Sequence, residues 1–186
     1  MHTDEYPKAL KRRQEGFTLI EIMIALAIVA VAIALAIKPV HQALSNAKAN
    51  DEMGELPTII ANIQKVFANR ANFGGATQEL FVNQHVFPTD RVVPQTAELA
   101  NRWGGAITTS VVTIGSSAPN NGIALTYEGV PSMECAAVIP QMDEIVRIIS
   151  VNGTQVKADG QPADLDAVST ACNASHANEI VYQFSK

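Results

Sequence analysis

From Phe17 to Ile37 the chain carries one ionisable side chain, Glu21, within a run of Ile, Leu, Val, Ala, Met, Phe and Thr. As a helix, those roughly 20 residues reach about 30 Å, the thickness of a bilayer's hydrocarbon core. The segment can therefore cross a membrane. Lys11, Arg12 and Arg13 precede it, and the positive-inside bias keeps them in the cytoplasm and places everything after Lys38 outside. A conventional secretory signal has a shorter apolar stretch ending in small residues at a cleavage site. The Ala-rich stretch from Ala32 to Ala36 imitates such a site, but no polar exit follows it until Lys38.

This orientation settles how the rest of the chain is read. Its 186 residues, 47% hydrophobic, are enough for one ordinary core. A net charge of −5 and a pI near 5.3 exclude a protein whose affinity comes from neutralising phosphates, so direct nucleic-acid binding is not expected. Both cysteines, Cys135 and Cys172, lie in the exported part, where an oxidising compartment favours a disulfide over thiols. Structural zinc needs four ligands, and His2, His41, His85 and His176 show no supporting spacing.

The residues Lys11-Arg12-Arg13-Gln14-Glu15-Gly16-Phe17-Thr18-Leu19-Ile20-Glu21 closely resemble the processing signature of type IV prepilins. The resemblance implies a cut after Gly16 by a prepilin peptidase and N-methyltransferase, N-methylation of Phe17 as the first mature residue, and an assembly role for Glu21. Elementary chemistry gives these residue types separate reasons. A glycine lets an extended backbone approach a catalytic centre without a Cβ clash. A carboxylate about one turn into an apolar helix costs several kcal/mol unless it is protonated or paired. Cleavage supplies a partner, the freed amine of Phe17 on a staggered neighbouring subunit; the plainer alternative is a carboxylate that snorkels to the interface or sits protonated.

The implied organisation is a cleaved cytoplasmic leader over 1–16, a hydrophobic membrane and assembly helix over 17–37, an amphipathic continuation over 38–70 and a globular domain over 71–186. Pro39, and then Gly54 with Pro57, are expected to bend or loosen the helix. Val40, Ala43, Leu44 and Ala47, followed by Leu56, Ile59, Ile60, Ile63 and Phe67, keep helical spacing and form a stripe suited to packing beneath a sheet. Between 69 and 102, Gly74-Gly75, Pro88 and Pro94 predict loops with one or two brief helices, anchored by Phe73, Phe81, Phe87 and Trp103.

Strand signals begin after Trp103-Gly104-Gly105, with β-branched residues from Ile107 to Ile114, then Ile123 to Tyr127, and a last strand from Ile180 to Phe184. Asn152-Gly153 between Ile- and Val-rich arms predicts a hairpin within 144–157. Ser132 to Met142 reads as a short helix, with Pro140 near its end. A long helix followed by an antiparallel sheet is an α+β arrangement, in agreement with a type IV pilin fold. The Trp-Gly-Gly entry to the sheet and the late cysteine pair most resemble type IVb pilins of thin, plasmid- or island-borne pili. The short leader and Phe17 depart from that subclass, Phe17 being the usual first residue of type IVa pilins.

The remaining polar groupings read as local structure. Asp159, Asp164 and Asp166 could meet at a Ca²⁺ ion, but their spacing is not that of an EF-hand, and a solvated loop explains them better. Asn152-Gly153-Thr154 and Asn173-Ala174-Ser175 match glycosylation sequons, a short pattern that occurs by chance. With no phosphate loop, nucleophile elbow or zinc-binding His pair, an enzyme, a cofactor or a metal is not expected. The first reading is a major pilin that polymerises with identical subunits, after passing through the inner membrane and its pilus assembly machinery, into an extracellular filament for adhesion, aggregation or conjugative contact. A pseudopilin of a type II secretion system shares the same leader and helix. A periplasmic enzyme or binding module on an uncleaved anchor is the third reading.

Overall fold

The computed structural model describes residues 17–115 and 118–186. The expected leader, with Lys11 to Arg13 and the cut-site residue Gly16, lies outside the described residues. The chain divides between Gln42 and Ala43 into two compact units.

Helix α1, Leu19–Val66, runs from the apolar segment of the first unit into the core of the second. It stays helical through Pro39, Gly54 and Pro57, so the expected loosening does not end it. In the second unit the magnitudes explain why. An interior proline costs about 3 kcal/mol and a glycine about 1, whereas each fully buried aliphatic side chain contributes roughly 1.5–3. Leu56, Ile59, Ile60 and Ile63 are all buried on one face, which outweighs both breakers. The amphipathic stripe starts later than its spacing predicts: Val40, Ala43, Leu44 and Ala47 are exposed, and burial begins at Ala49.

The second unit is a six-stranded antiparallel sheet with α1 and two short helices packed on its inner face. The strands are β1 (Leu99–Ala100), β2 (Ala106–Val112), β3 (Gly122–Val130), β4 (Ile148–Val151), β5 (Thr154–Lys157) and β6 (Asn178–Ser185). Their order is β1-β2-β3-β6-β4-β5, so the last strand of the chain enters the middle of the sheet. Side chains alternate along β6, with Ile180, Tyr182 and Phe184 buried. The expected hairpin forms between β4 and β5, with Asn152 at φ 50° and Gly153 at φ 79°, the left-handed pair that a tight two-residue turn requires.

Between α1 and the sheet, helix α2 (Gln78–Asn83) is capped by Thr77, whose hydroxyl accepts from the Leu80 amide. As expected, Phe73, Phe81 and Phe87 are buried anchors of this region, while Trp103 is half-buried. Phe67, Phe73, Phe81 and Phe184 stack edge-on or tilted at centroid distances of 5.4 to 6.4 Å, tying the end of α1 to the sheet. The Trp-Gly-Gly entry has a steric reason: a Cβ on Gly105 would lie 1.8 Å from the Glu128 carbonyl oxygen. Asn101 clasps the same turn, accepting from the amides of Trp103 and Gly105 and donating to Glu128 O.

Helix α3 (Ser132–Met142) forms where expected and continues past Pro140, with Ile139 and Met142 held in the core. Helix α4 (Leu165–Asn173) is absent from the sequence reading, which treats its start as a polar loop. Asp164 is its N-cap, accepting from the amides of Asp166 and Ala167. Asp159 is held by the guanidinium of Arg147 through two charge-assisted bonds of 2.6 and 2.7 Å. The Asp164 carboxylate thus serves as a cap and that of Asp159 as half of an ion pair.

Candidate functional site

The amino-terminal site begins at Thr18. Its carbonyl accepts from the amides of Glu21 and Ile22 at 3.1 and 3.2 Å, and its hydroxyl from Glu21 N at 3.4 Å. Thr18-Leu19-Ile20-Glu21 therefore fits the capping-box spacing, in which a threonine N-cap satisfies the amide of the third helical residue. Sequence reasoning assigned no role to Thr18, although the Thr-x-x-Glu pattern carries the signal. Phe17 immediately precedes the cap and is 79% exposed; Glu21 lies in the first helical turn. A negative group there also suits the positive end of the helix dipole.

Beyond Glu21 the first unit presents an apolar surface on every side of its helix. An 18-residue window has mean hydropathy 2.9 and none of it is buried. Leu19, Leu26, Ile28 and Leu35 are each more than 60% exposed. A helix that is hydrophobic all round needs a lipid or protein environment. Phe17 stands just before this helix and Glu21 in its first turn.

The second expected feature, the cysteine pair, is a disulfide. Cys135 on α3 and Cys172 on α4 are bonded, fully buried and 5.7 Å apart between Cα atoms, at a sequence separation of 37. Asn178 works beside it, its side-chain amide donating to the carbonyls of Val130, Cys172 and Ser175. Asn152 adds a bond to Asn178 Oδ1 at 2.7 Å, joining the hairpin turn to the stapled helices.

Sequence reasoning missed a buried ionic cluster beneath the sheet. Arg91 is 2% exposed and bonds Glu52 at 2.7 Å and Glu55 through Nε and Nη2 at 2.9 and 2.6 Å. Arg102 adds a further bond to Glu55. The chain from Thr89 to Arg102 is thereby fastened to one face of α1. Burial pushes the Glu52 carboxyl above its ordinary range, against the opposing pull of Arg91. Among the described residues its Oε1 has no hydrogen-bond partner, nor has the Tyr127 hydroxyl or the Trp103 indole N–H. All three residues line one small cavity of about 10 Å³, room for a single water. Burial likewise holds the Tyr127 and Tyr182 phenols above their usual range, so both stay neutral. The only sequence cue was the pairing of Glu52 with Glu55 at helical spacing; Arg91 lies 39 residues from Glu52.

Among the described residues no group of three or more His, Cys, Asp or Glu side chains could hold a metal ion. Residues 11–37 match the prokaryotic N-terminal methylation motif. Residues 46–185 match the family described as PilS N terminal. Among solved structures, the type IVb pilin from Salmonella typhi is similar with a TM-score of 0.56 and 19% identity, over 74% of this chain and 99% of that one. TcpA, a type IV pilin from the El Tor biotype of Vibrio cholerae, is similar with a TM-score of 0.51 and 12% identity, over 73% and 99%. A sequence search of curated proteins gave no match. The two structural likenesses show the fold, a long helix on an antiparallel sheet with a disulfide in the carboxy-terminal region. With a family match covering most of its length, the chain belongs to the PilS family and has the type IV pilin fold.

Proposed function

We propose that this chain is the precursor of a major pilin, cut between Gly16 and Phe17, N-methylated at Phe17 and polymerised through its amino-terminal helix into a surface filament. In this reading residues 1–16 are the leader, 17–37 the membrane and assembly helix, 38–70 its continuation and 71–186 the globular domain. The observation that carries it is the all-round apolar surface of the helix interrupted only by Glu21. Before assembly the inner membrane covers that surface; afterwards, the same helices of neighbouring subunits do. Glu21 has a partner only in the second setting, where the amine of an adjacent Phe17 can meet it. Adhesion, aggregation and conjugative cell contact are the tasks such a filament serves.

Mass spectrometry of filaments sheared from cells tests the reading. The expected amino-terminal peptide starts at Phe17 and carries one methyl group. A mature chain that retains residues 1–16, or a chain never recovered in filaments, would refute it.

A further inference from the structure

The outer face of the sheet carries two glutamates at one place in the strand register. Tyr127 pairs with Ile180 and Val130 with Asn178, and the irregularity between them sets Glu128 and Gly129 opposite Glu179. Tyr127 and Ile180 are buried, while Glu128 and Glu179 are exposed. Among the described residues no ion pair reaches either glutamate. Like charges opposite each other on neighbouring strands repel, so this exposed face suits a cation from outside. The arginines at this end are already committed: Arg91 to Glu52 and Glu55, and Arg102 to Glu55, with Asp51 and Asp90 sharing it at 3.7 and 3.9 Å.

At the other end of the same strands, where Gly122 pairs with Ser185, the charge is reversed. Lys186 donates through Nζ to the Phe67 carbonyl at 2.7 Å and also to those of Ala68 and Arg70. Arg70 lies with its guanidinium carbon 5.8 Å from the Phe67 ring centroid, and Lys65 stands in the last turn of α1. Lys65 and Arg70 are exposed and, among the described residues, enter no ion pair. The pair nearby, Arg147 with Asp159, is neutral in itself.

We infer that these two ends are the halves of one contact between copies of this chain, the Glu128–Glu179 face of one subunit receiving Lys65 and Arg70 of the next. The inference rests on the polymer proposed above. In a filament whose subunits share one orientation, contacts are heterologous, so a surface that lacks cations meets a different surface of its neighbour. Complementary charge there fixes register and rejects misplaced copies.

Charge reversal at both ends tests the pairing in cells making full-length chain. Glu128→Lys with Glu179→Lys should lower sheared filament yield roughly tenfold, as should Lys65→Glu with Arg70→Glu, because like charges then face each other. Membrane level and the Cys135–Cys172 bond should be unchanged in both, which separates assembly from folding. The two reversed chains expressed together should restore filaments, since each basic end then meets an acidic one on the other chain, and both chains should be found in them. Unchanged yield in either variant would overturn the contact, and so would mixed cells that stay defective, as they would if the basic end served anionic lipid or another protein. If the unaltered chain forms no filaments in the same assay, the polymer reading falls and this contact with it; filaments that ignore the charges remove this contact alone.

Discussion

At the residue scale, Glu52 shows how a charged side chain is kept in a core without being at ease there. Arg91 satisfies one of its oxygens, while the other has no hydrogen-bond partner among the described residues; Glu52 and Tyr127 both line the small cavity. A buried acceptor left without a partner costs about 1–3 kcal/mol. Burial raises the folded-state pKa of Glu52 above the ordinary 4.5, which fixes the sign of its pH dependence. Its contribution is fully present below that unfolded value and is lost as pH rises through the folded one. Glu52→Gln should therefore equal or exceed the unaltered protein in stability at pH 7, with an advantage that shrinks toward pH 4.5. Arg91 keeps Glu55 in the variant, so no buried cation is orphaned. Denaturant unfolding at the two pH values checks this, and a variant less stable at pH 7 than at pH 4.5, relative to the unaltered protein, would show that pairing outweighs burial.

The elements differ in how legible they were. The first unit's helix was plain because apolar composition alone defines it, and β2, β3, β6 and the β4–β5 hairpin because β-branched alternation and Asn-Gly are local signals. Helix α4 was hidden by its own cap: Asp164 and Asp166 made its first turn look like solvated loop, although Leu165, Val168, Ala171 and Cys172 carry helical spacing. The central position of β6 and the Arg91 cluster were out of reach for another reason, since both join residues far apart in sequence whose pairing no local pattern encodes. The disulfide was legible from compartment, but its task appears only with α4 in place. It pins two short helices to each other, closing a loop at a sequence separation of 37 whose constraint is worth about 3–4 kcal/mol in the chain-entropy model. Cys135→Ser should lower the unfolding midpoint of the subunit and reduce surface filament while leaving export intact. Equal midpoints for the variant and the unaltered chain under oxidising conditions would contradict this.

For the whole molecule, the division at Gln42 and Ala43 separates two kinds of stability. The second unit buries its own core and supplies its own ionic and disulfide ties; the first has an apolar surface that none of the described residues covers. Under the proposed function its folding is complete only in a membrane or among other helices, and the Glu21 carboxylate bears on assembly and not on the stability of the head. Thr18 caps the helix through the Glu21 backbone amide, a bond that survives any change of the Glu21 side chain. Glu21→Ala should thus remain helical, be exported and lose its leader, yet yield roughly tenfold less filament, as expected when an ion pair in an apolar setting is lost. Glu21→Gln separates charge from hydrogen bonding and should be nearly as defective. When Glu21→Ala is made together with the unaltered chain, it keeps its own Phe17 amine and can pair with a normal Glu21, so mixed filaments should contain some of it. Leader removal, membrane retention and sheared filament are measured separately, and full filament yield from Glu21→Ala alone would end the case for this carboxylate in assembly.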